Sequence, residues 1–259
     1  MPRVEAAVRS HRGKVRGQNE DNFYLNGTFM RIDMNKEGGL FKTDCIDKTQ
    51  IYAVCDGMGG LSSGDVASMI AVSRMSVLLP AGTRKLTEYL NVYIEEASNS
   101  LYSLGEEGRH AGSTLALIYI DGANVRVAHL GDSRVYFKRG VLPLTQVTSD
   151  HSQAEWYTEQ GVLTPEQAKT HPSRHVLRRY IGAPVQEGRE PDVMDTMRLK
   201  RGDVFLLCSD GLSNMMALPE MEREITQARS CADICRALVT LALERGGDDN
   251  ITAMTVRII

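Results

Sequence analysis

The sequence predicts an α+β fold, on three observations. Apolar segments of strand length cluster near the N-terminus and again in the middle of the chain; two helical segments separate those clusters; one more helix runs directly into a final strand. Strands and helices that come in blocks pack as segregated layers, whereas strict alternation would give a doubly wound parallel sheet. At 259 residues the chain can bury roughly 70–75% of its unfolded surface, so it needs no disulfide or structural metal merely to fold.

The elements follow in order. Residues 4–10 are semi-apolar and read as a strand. A polar loop over 14–22 leads into Phe23-Tyr24-Leu25. Residues 26–50, rich in glycine and charge, read as an irregular hairpin or loop. Residues 51–55 are a continuous apolar run, the pattern of a buried strand. Ser62 or Ser63 can cap a helix whose apolar face is Val66, Met69, Ile70 and Val77. Beyond Pro80 and Gly82, Thr83 can cap a second, with Leu86, Tyr89, Leu90, Tyr93, Ile94, Ala97 and Leu101 at helical spacing.

From Ser113 the pattern changes to strands. Residues 115–120, the turn Asp121-Gly122, then 124–130, 134–137 and 141–144 read as an antiparallel meander. Residues 150–182 are polar, with short helical pieces at 152–160 and 165–169. Residues 193–199 and 204–208 resemble another hairpin, across Arg201-Gly202-Asp203. Pro219 opens a short helix. Ser230 with Asp233 forms a capping box ahead of Ile234, Ala237, Leu238 and Leu241, and Gly246-Gly247 stop that helix. Residues 251–259 are the final strand.

Composition narrows the function classes. Lys and Arg number 30 against 33 Asp and Glu, a net charge of −3. That balance argues against a dedicated nucleic-acid or anionic-membrane binder. Five cysteines (Cys45, Cys55, Cys208, Cys231, Cys235) form no C-x-x-C pair and read as buried thiols of a reducing, cytoplasmic compartment. No apolar run approaches the length of a membrane span, and the N-terminus has no signal core. Cys231 and Cys235, at i and i+4, fit the inner face of a helix better than a metal pair. His151 and His171 fit surface or capping roles, and Trp156 fits local packing.

One pattern recurs: an apolar strand runs out into an Asp beside a Gly. It occurs at Val54-Cys55-Asp56-Gly57, at Leu130-Gly131-Asp132 and at Cys208-Ser209-Asp210-Gly211. The last strand follows Gly247-Asp248-Asp249-Asn250, and Asn19-Glu20-Asp21 precedes the short strand near the N-terminus. Asp-Gly and Gly-Asp are also common turn dipeptides, and Asp121-Gly122 and Arg201-Gly202-Asp203 read as plain turns between paired strands. As a set, however, carboxylates at the ends of core strands can meet at one rim. Clustered carboxylates resist joint ionisation unless a cation lies among them. Oxygen ligands without His or Cys suit hard ions, magnesium or manganese. Two such ions sharing a carboxylate, roughly 3.5–4 Å apart, are a usual device for activating water against a phosphate ester. A glycine beside the shared Asp lets a backbone carbonyl reach an ion.

At these residues the sequence resembles the metal-dependent protein phosphatase family, protein phosphatase 2C, in its compact bacterial form. The likeness runs from about residue 10 to 257 through Gly13-Lys14-Val15-Arg16, Asn19-Glu20-Asp21, Asp56-Gly57-Met58-Gly59-Gly60 and Gly112-Ser113-Thr114. It continues through Gly131-Asp132-Ser133-Arg134, Asp150-His151-Ser152, His171-Pro172, Ser209-Asp210-Gly211-Leu212 and Gly247-Asp248-Asp249-Asn250. The resemblance implies a four-layer α-β-β-α sandwich with two central antiparallel sheets. It implies hydrolysis of phosphoserine and phosphothreonine by water activated between two Mn²⁺ or Mg²⁺ ions, without a phosphoenzyme. By that resemblance Asp56 bridges the ions, the Gly57 carbonyl binds the first, and Asp210 and Asp249 bind the second. Glu20 and Asp21 hold ion-bound waters, Arg16 clamps the substrate phosphate, and Asp132 beside Asp210 contributes to a weak third site. The whole chain, 1–259, is one phosphatase domain, and residues 150–182 are its flap beside the active site. The expected partners are phosphorylated proteins and a cytoplasmic serine/threonine kinase, with no nucleic acid and no membrane.

Two departures stand out. Asn214 replaces an Asp that family members often carry, which weakens the third site. Met58 stands where animal relatives have a His, so the leaving oxygen takes its proton from water or another group. Two further readings compete: a phosphatase-like sensing module without turnover, supported only by Asn214, and a phosphatase of a small phosphorylated metabolite, because a metal core reads phosphate and not its carrier.

Overall fold

Every stretch of strand in this chain that is apolar on both faces lies between two layers. The computed structural model describes residues 2–31, 38–59, 64–102, 111–184 and 188–259. Its strands form two antiparallel sheets. The first contains β1 (Val4–His11), β3 (Gly38–Cys45), β8 (Arg134–Lys138), β9 (Thr145–Gln146), β12 (Val204–Cys208) and β13 (Ile251–Ile258), in the order β3-β1-β13-β12-β8-β9. The second contains β2 (Asp21–Leu25), β4 (Thr49–Met58), β6 (Leu115–Asp121), β7 (Asn124–Leu130) and β10 (Asp192–Val193), in the order β10-β7-β6-β4-β2. The short strands β5 (Gly112–Ser113) and β11 (Met197–Arg198) join it on β4 and β7.

Alternate residues serve different cores. Phe23, Leu25, Tyr52, Val54, Phe205 and Leu207 face the space between the sheets, with Val4, Val8, Met254 and Val256. Tyr24, Ile51, Ala53 and Cys55 point the other way, against α1 (Gly64–Ser73) and α2 (Gly82–Tyr102). Val204, Leu206 and Cys208 pack on α6 (Leu218–Gln227) and α7 (Cys231–Glu244), which follow α5 (Asp210–Ser213). Helices over both outer faces explain why these strands read as unbroken apolar runs: neither face is left to water. The result is the four-layer α-β-β-α sandwich. No helix among the described residues is long and apolar enough to cross a membrane.

Several local expectations hold. Leu86, Leu90, Tyr93, Ile94, Ala97 and Leu101 are the buried face of α2. Ser230 caps α7 by accepting from the Asp233 N–H. In the polar segment, Ser152 caps α3 (Gln153–Glu159), and Thr164 forms a capping box with Gln167 on α4 (Pro165–Ala168). Cys231 and Cys235 are buried on the inner face of α7, their thiols donating to the Glu5 and Ala7 carbonyls.

Others are corrected. Residues 26–50 contain a full strand, β3, paired along β1; its edge position leaves one side polar and exposed, which hid it. The first helix ends at Ser73 and buries Ala67, Ser68, Ala71 and Val72. Val77, expected on its inner face, lies exposed in a separate 3-10 turn, Met75–Leu78. Thr83 falls inside α2, whose first residue is Gly82. The Ser62 or Ser63 cap lies outside the described residues. Val141 and Leu142 are exposed and not a strand. The meander does not exist as one ribbon: β6 and β7 pair with each other, but β8 leaves for the opposite sheet and pairs with β12. The hairpin over 193–208 fails for the same reason, since β10 and β11 pair with β7 while β12 pairs with β8 and β13.

Asp203 is therefore no plain turn residue. It is 1% exposed, and its carboxylate accepts from Arg139 Nε at 2.7 Å, Arg139 Nη2 at 2.6 Å and the Lys200 N–H at 2.8 Å. These bonds fasten the crossing between sheets to the β8–β9 loop. Asp203→Ala should strand the Arg139 guanidinium and lower stability by roughly 2–3 kcal/mol, measured as a shift in the urea midpoint with an unchanged m-value.

Candidate metal centre

Strand register decides which carboxylates meet. Asp21, the first residue of β2, is the direct partner of Asp56 on β4. Asp132 follows β7 across Gly131, whose φ of +105° and position against Thr114, 2.7 Å from where a Cβ would stand, both require glycine. Asp210 opens α5 directly after β12, and Asp249 stands two residues before β13. All five thus come to one rim, Asp21, Asp56 and Asp132 from the second sheet, Asp210 and Asp249 from the first.

Asp21 is fully buried and accepts two hydroxyl bonds on one oxygen: Oδ2 receives Ser209 Oγ and Thr252 Oγ1, each at 2.7 Å. The Asp56 backbone is pinned by Thr114, which accepts the Asp56 N–H on its Oγ1 at 2.9 Å and returns its own N–H to the Asp56 carbonyl at 2.9 Å. Thr114 Oγ1 lies 2.6 Å from Ser133 Oγ. Gly57 donates its N–H to the Glu20 carbonyl at 3.1 Å. A Cβ there would stand 1.8 Å from the Gly64 carbonyl oxygen, so only glycine lets β4 pass α1 this closely. Asn250 ties down the loop that carries Glu20 and Arg16: its Oδ1 accepts the Glu20 N–H at 2.7 Å, and its Nδ2 donates to the Arg12 and Gln18 carbonyls at 2.8 and 2.9 Å. Arg16 Nη2 donates to Asp249 Oδ2 at 2.8 Å, with half of its side chain exposed.

Electrostatics records the crowding. Burial first, then repulsion from Asp21, Asp210, Asp132 and Asp249, pushes the Asp56 carboxyl well up. Burial, then Asp210 and Asp150, does the same to Asp132. Burial raises Asp21 to about 7, against the pull of its two hydroxyl donors. Glu20 is raised by burial, opposed by the Gln18 bond and Arg16. Groups that cannot all ionise together become mutually stable around hard cations, and carboxylate and carbonyl oxygens are the donors that magnesium and manganese take. The residues fit that kind of ion.

Asn214 donates its amide Nδ2 to Asp210 Oδ2 at 3.2 Å. His175 Nδ1, from the polar segment, stands 3.9 Å from the same Asp210 oxygen. A groove of about 750 Å³ opens from Asp132 and Asp210 between that segment and α6, with Lys169, Arg174 and Leu218 on its walls.

A second cluster went unread in the sequence. His129, His151 and Asp192 are the one trio of His, Cys, Asp or Glu among the described residues whose ligand atoms lie within 4.8 Å of one another. No three of the rim carboxylates meet that spacing. Most of the trio's polar atoms are committed to hydrogen bonds, while His129 Nδ1 is buried without one. His151 Nδ1 accepts the Gly131 N–H at 3.1 Å, so Nε2 carries the proton toward Asp192 Oδ2 at 3.2 Å. Arg179 Nη2 holds the other Asp192 oxygen at 2.7 Å, and His129 Nε2 reaches the Ser149 carbonyl at 2.7 Å. An ion there would displace a proton beside a guanidinium. The trio instead clamps the root of the polar segment onto Gly131, next to Asp132. His151 is thus a buried clamp and not the surface or capping residue expected; His171 does cap, accepting the Ser173 N–H ahead of Pro172–His175. Trp156 packs locally, under the Arg178 guanidinium at 4.3 Å. The missed signal was polar residues inside apolar strands: Ser10, His129 and Thr252.

The chain is similar to known proteins over nearly its whole length. The family model described as Protein phosphatase 2C matches residues 41–244. The serine/threonine phosphatase stp of Listeria monocytogenes is 33% identical over 98% of this chain and 95% of its own. The crystal structure of the Mycobacterium tuberculosis serine/threonine phosphatase PstP/Ppp superposes with a TM-score of 0.80 at 30% identity, covering 99% of each chain. The catalytic domain of PstP in complex with two manganese ions superposes with a TM-score of 0.78 at 28% identity, covering 100% of each chain.

The His151 clamp has a pH signature. Burial, then the neighbouring His129 and Arg179, lowers His151 from 6.5 to about 4. The unfolded chain then takes up a proton that the folded chain refuses, so this contribution to stability is complete above about pH 6.5 and falls as pH drops toward 4. The span corresponds to roughly 3 kcal/mol. His151→Gln should be less stable than the parent at pH 7, and its urea stability should fall less steeply between pH 6.5 and 4. Parallel profiles would remove His151 from the pH dependence.

Proposed function

We propose the following roles from the premise that the chain belongs to the protein phosphatase 2C family and is a metal-dependent serine/threonine protein phosphatase using two divalent ions, manganese or magnesium. The observation that carries the assignment of residues is the register that sets Asp21 against Asp56 and gathers Asp132, Asp210 and Asp249 around them. Asp56 would bridge the two ions, the Gly57 carbonyl would serve the first, and Asp210 and Asp249 the second. Asp21 and Glu20 would act through water. Asp132 with Asp210 would form a weaker third site, because Asn214 beside Asp210 is a neutral amide and adds no charge to offset an ion's dehydration. When bound, the ions lower the pKa of water enough for it to attack phosphorus and offset charge on the phosphoryl oxygens.

The chain's own groups do the rest. Arg16 clamps the substrate phosphate with a planar guanidinium. Its ion pair to Asp249 is half-exposed and contributes little, so exchanging that carboxylate for a phosphate costs little. The buried Asp21 keeps bulk water from that side. The segment over 150–182, rooted by His151, is the flap beside the groove and takes part in substrate choice. The chain works as one domain, since β1 and β13 pair along their length and the site draws on residues from 16 to 249. Its substrates are phosphorylated proteins, opposing a cytoplasmic serine/threonine kinase; five buried free thiols support a reducing compartment.

Turnover of a phosphothreonine peptide, with nucleotides and sugar phosphates alongside, tests the substrate class. Preference for the free metabolites would overturn the protein-substrate reading. Chelation should abolish phosphatase activity and lower the melting temperature at pH 7, and manganese should restore both, because the ionised carboxylates lose their counter-charge. Full activity in excess chelator would end the two-ion assignment. Arg16→Ala should raise KM roughly tenfold, the worth of a charged hydrogen bond, with manganese affinity no weaker because Asp249 is released; unchanged kinetics would return Arg16 to the solvent.

A further inference from the structure

We infer that Thr252 and Ser209, backed by Ser10 and Asn19, are positioning residues that hold the Asp21 carboxylate in the single orientation the metal centre uses. The inference rests on the reading of Asp21 as a metal-centre residue and adds the machinery that sets it.

Asp21 begins a strand of the second sheet, but its holders come from the first: Thr252 from β13, and Ser209 from the end of β12. Both hydroxyls meet one oxygen, Oδ2, at 2.7 Å. The direction of each bond follows from proton count. A hydroxyl has one proton, and a carboxylate only accepts. Thr252 therefore spends its proton on Asp21 and must accept from Ser10 Oγ, 2.8 Å away. Ser10 in turn accepts from Asn19 Nδ2 at 2.8 Å. Ser209 donates to Asp21 and accepts the Thr252 backbone N–H at 3.0 Å. Every proton in the relay points toward Asp21.

The relay is buried throughout: Ser10, Asp21, Ser209 and Thr252 are 0% exposed and Asn19 is 1% exposed. Ser10 and Thr252 are buried register partners on β1 and β13, Ser10 between Arg9 and His11 and Thr252 between Ile251 and Ala253. Valine or alanine would fill those positions without the cost of burying hydroxyls. Two donors on one oxygen, from two elements of the opposite sheet, fix both the distance and the rotation of the carboxyl about its Cβ–Cγ bond. Partners behind a metal ligand act in this way, and removing one costs roughly 10–100-fold in metal affinity or activity.

The test separates orientation from packing. Thr252→Val keeps the volume and loses the hydroxyl; Thr252→Ser keeps the hydroxyl and loses a methyl. Manganese is titrated by calorimetry into the chelator-stripped parent, both Thr252 variants, Ser209→Ala and Asp21→Asn, with urea midpoints for each. Positioning predicts that Thr252→Val and Ser209→Ala bind manganese roughly 10–100-fold more weakly, while Thr252→Ser binds close to the parent even if it is less stable. Packing predicts the reverse ranking, with Thr252→Val tight. If Thr252→Val does not fold, Ser209→Ala decides. Parent-like affinity in Thr252→Val or Ser209→Ala, with weak binding in Asp21→Asn, overturns the relay alone. Parent-like affinity in Asp21→Asn as well overturns the role of Asp21 in the metal centre, and the relay with it.

Discussion

Mutual repulsion among enclosed carboxylates is the constraint on which this molecule is organised. Asp21, Asp56 and Asp132 are each pushed up by burial and then by one another or by Asp210. Among the described residues Arg16 hydrogen-bonds Asp249 and acts through space on Glu20 and Asp56, and the carboxyls of Asp56 and Asp132 still stand raised. On the proposed assignment, a hard divalent cation among these carboxylates would offset that repulsion.

Holding like charges together demands a rigid frame, and the two facing sheets supply it. Each sheet brings part of the cluster, so the core between them, built on Phe23, Tyr52, Val54, Phe205 and Leu207, sets the spacing of the site. Bonds across the seam keep the halves from sliding: Ser209 and Thr252 to Asp21, and Asn250 to the Glu20 and Gln18 backbone. Glycines mark where backbone must pass backbone without a side chain between, at Gly57 against Gly64 and at Gly211, where a Cβ would stand 2.0 Å from the Asn250 carbonyl oxygen.

The polar segment over 150–182 is joined to this frame differently. Its root is clamped through His151, Asp192 and Arg179, while its outer part makes local bonds, as in the Thr164–Gln167 capping box. The segment borders the groove at Asp210 through His175. The two buried histidines of the trio secure that attachment, each spending its Nε2 proton on a protein oxygen.

The α+β class, the helices α2 and α7 and the candidate ligands were legible in the residues themselves. Amphipathic spacing, caps and an Asp-Gly at the end of an apolar run are local signals, written within a turn or two of chain. The doubly covered strands were legible too, because they are apolar on both faces, whereas residues 141–144 read as a strand and are not one. Which sheet each strand joins was not legible. Alternation says that a residue is buried but not against what, so β8 and β12 looked like parts of hairpins and Asp203 like a plain turn. The same limit hid β3 at a polar edge, and it left Ser10, Thr252 and His129 as oddities within apolar strands. Their purpose exists only once Asp21 arrives from the other sheet, or Asp192 from the strand beside β7. Long-range register is set by the joint packing of both sheets, and that information belongs to no single stretch of sequence.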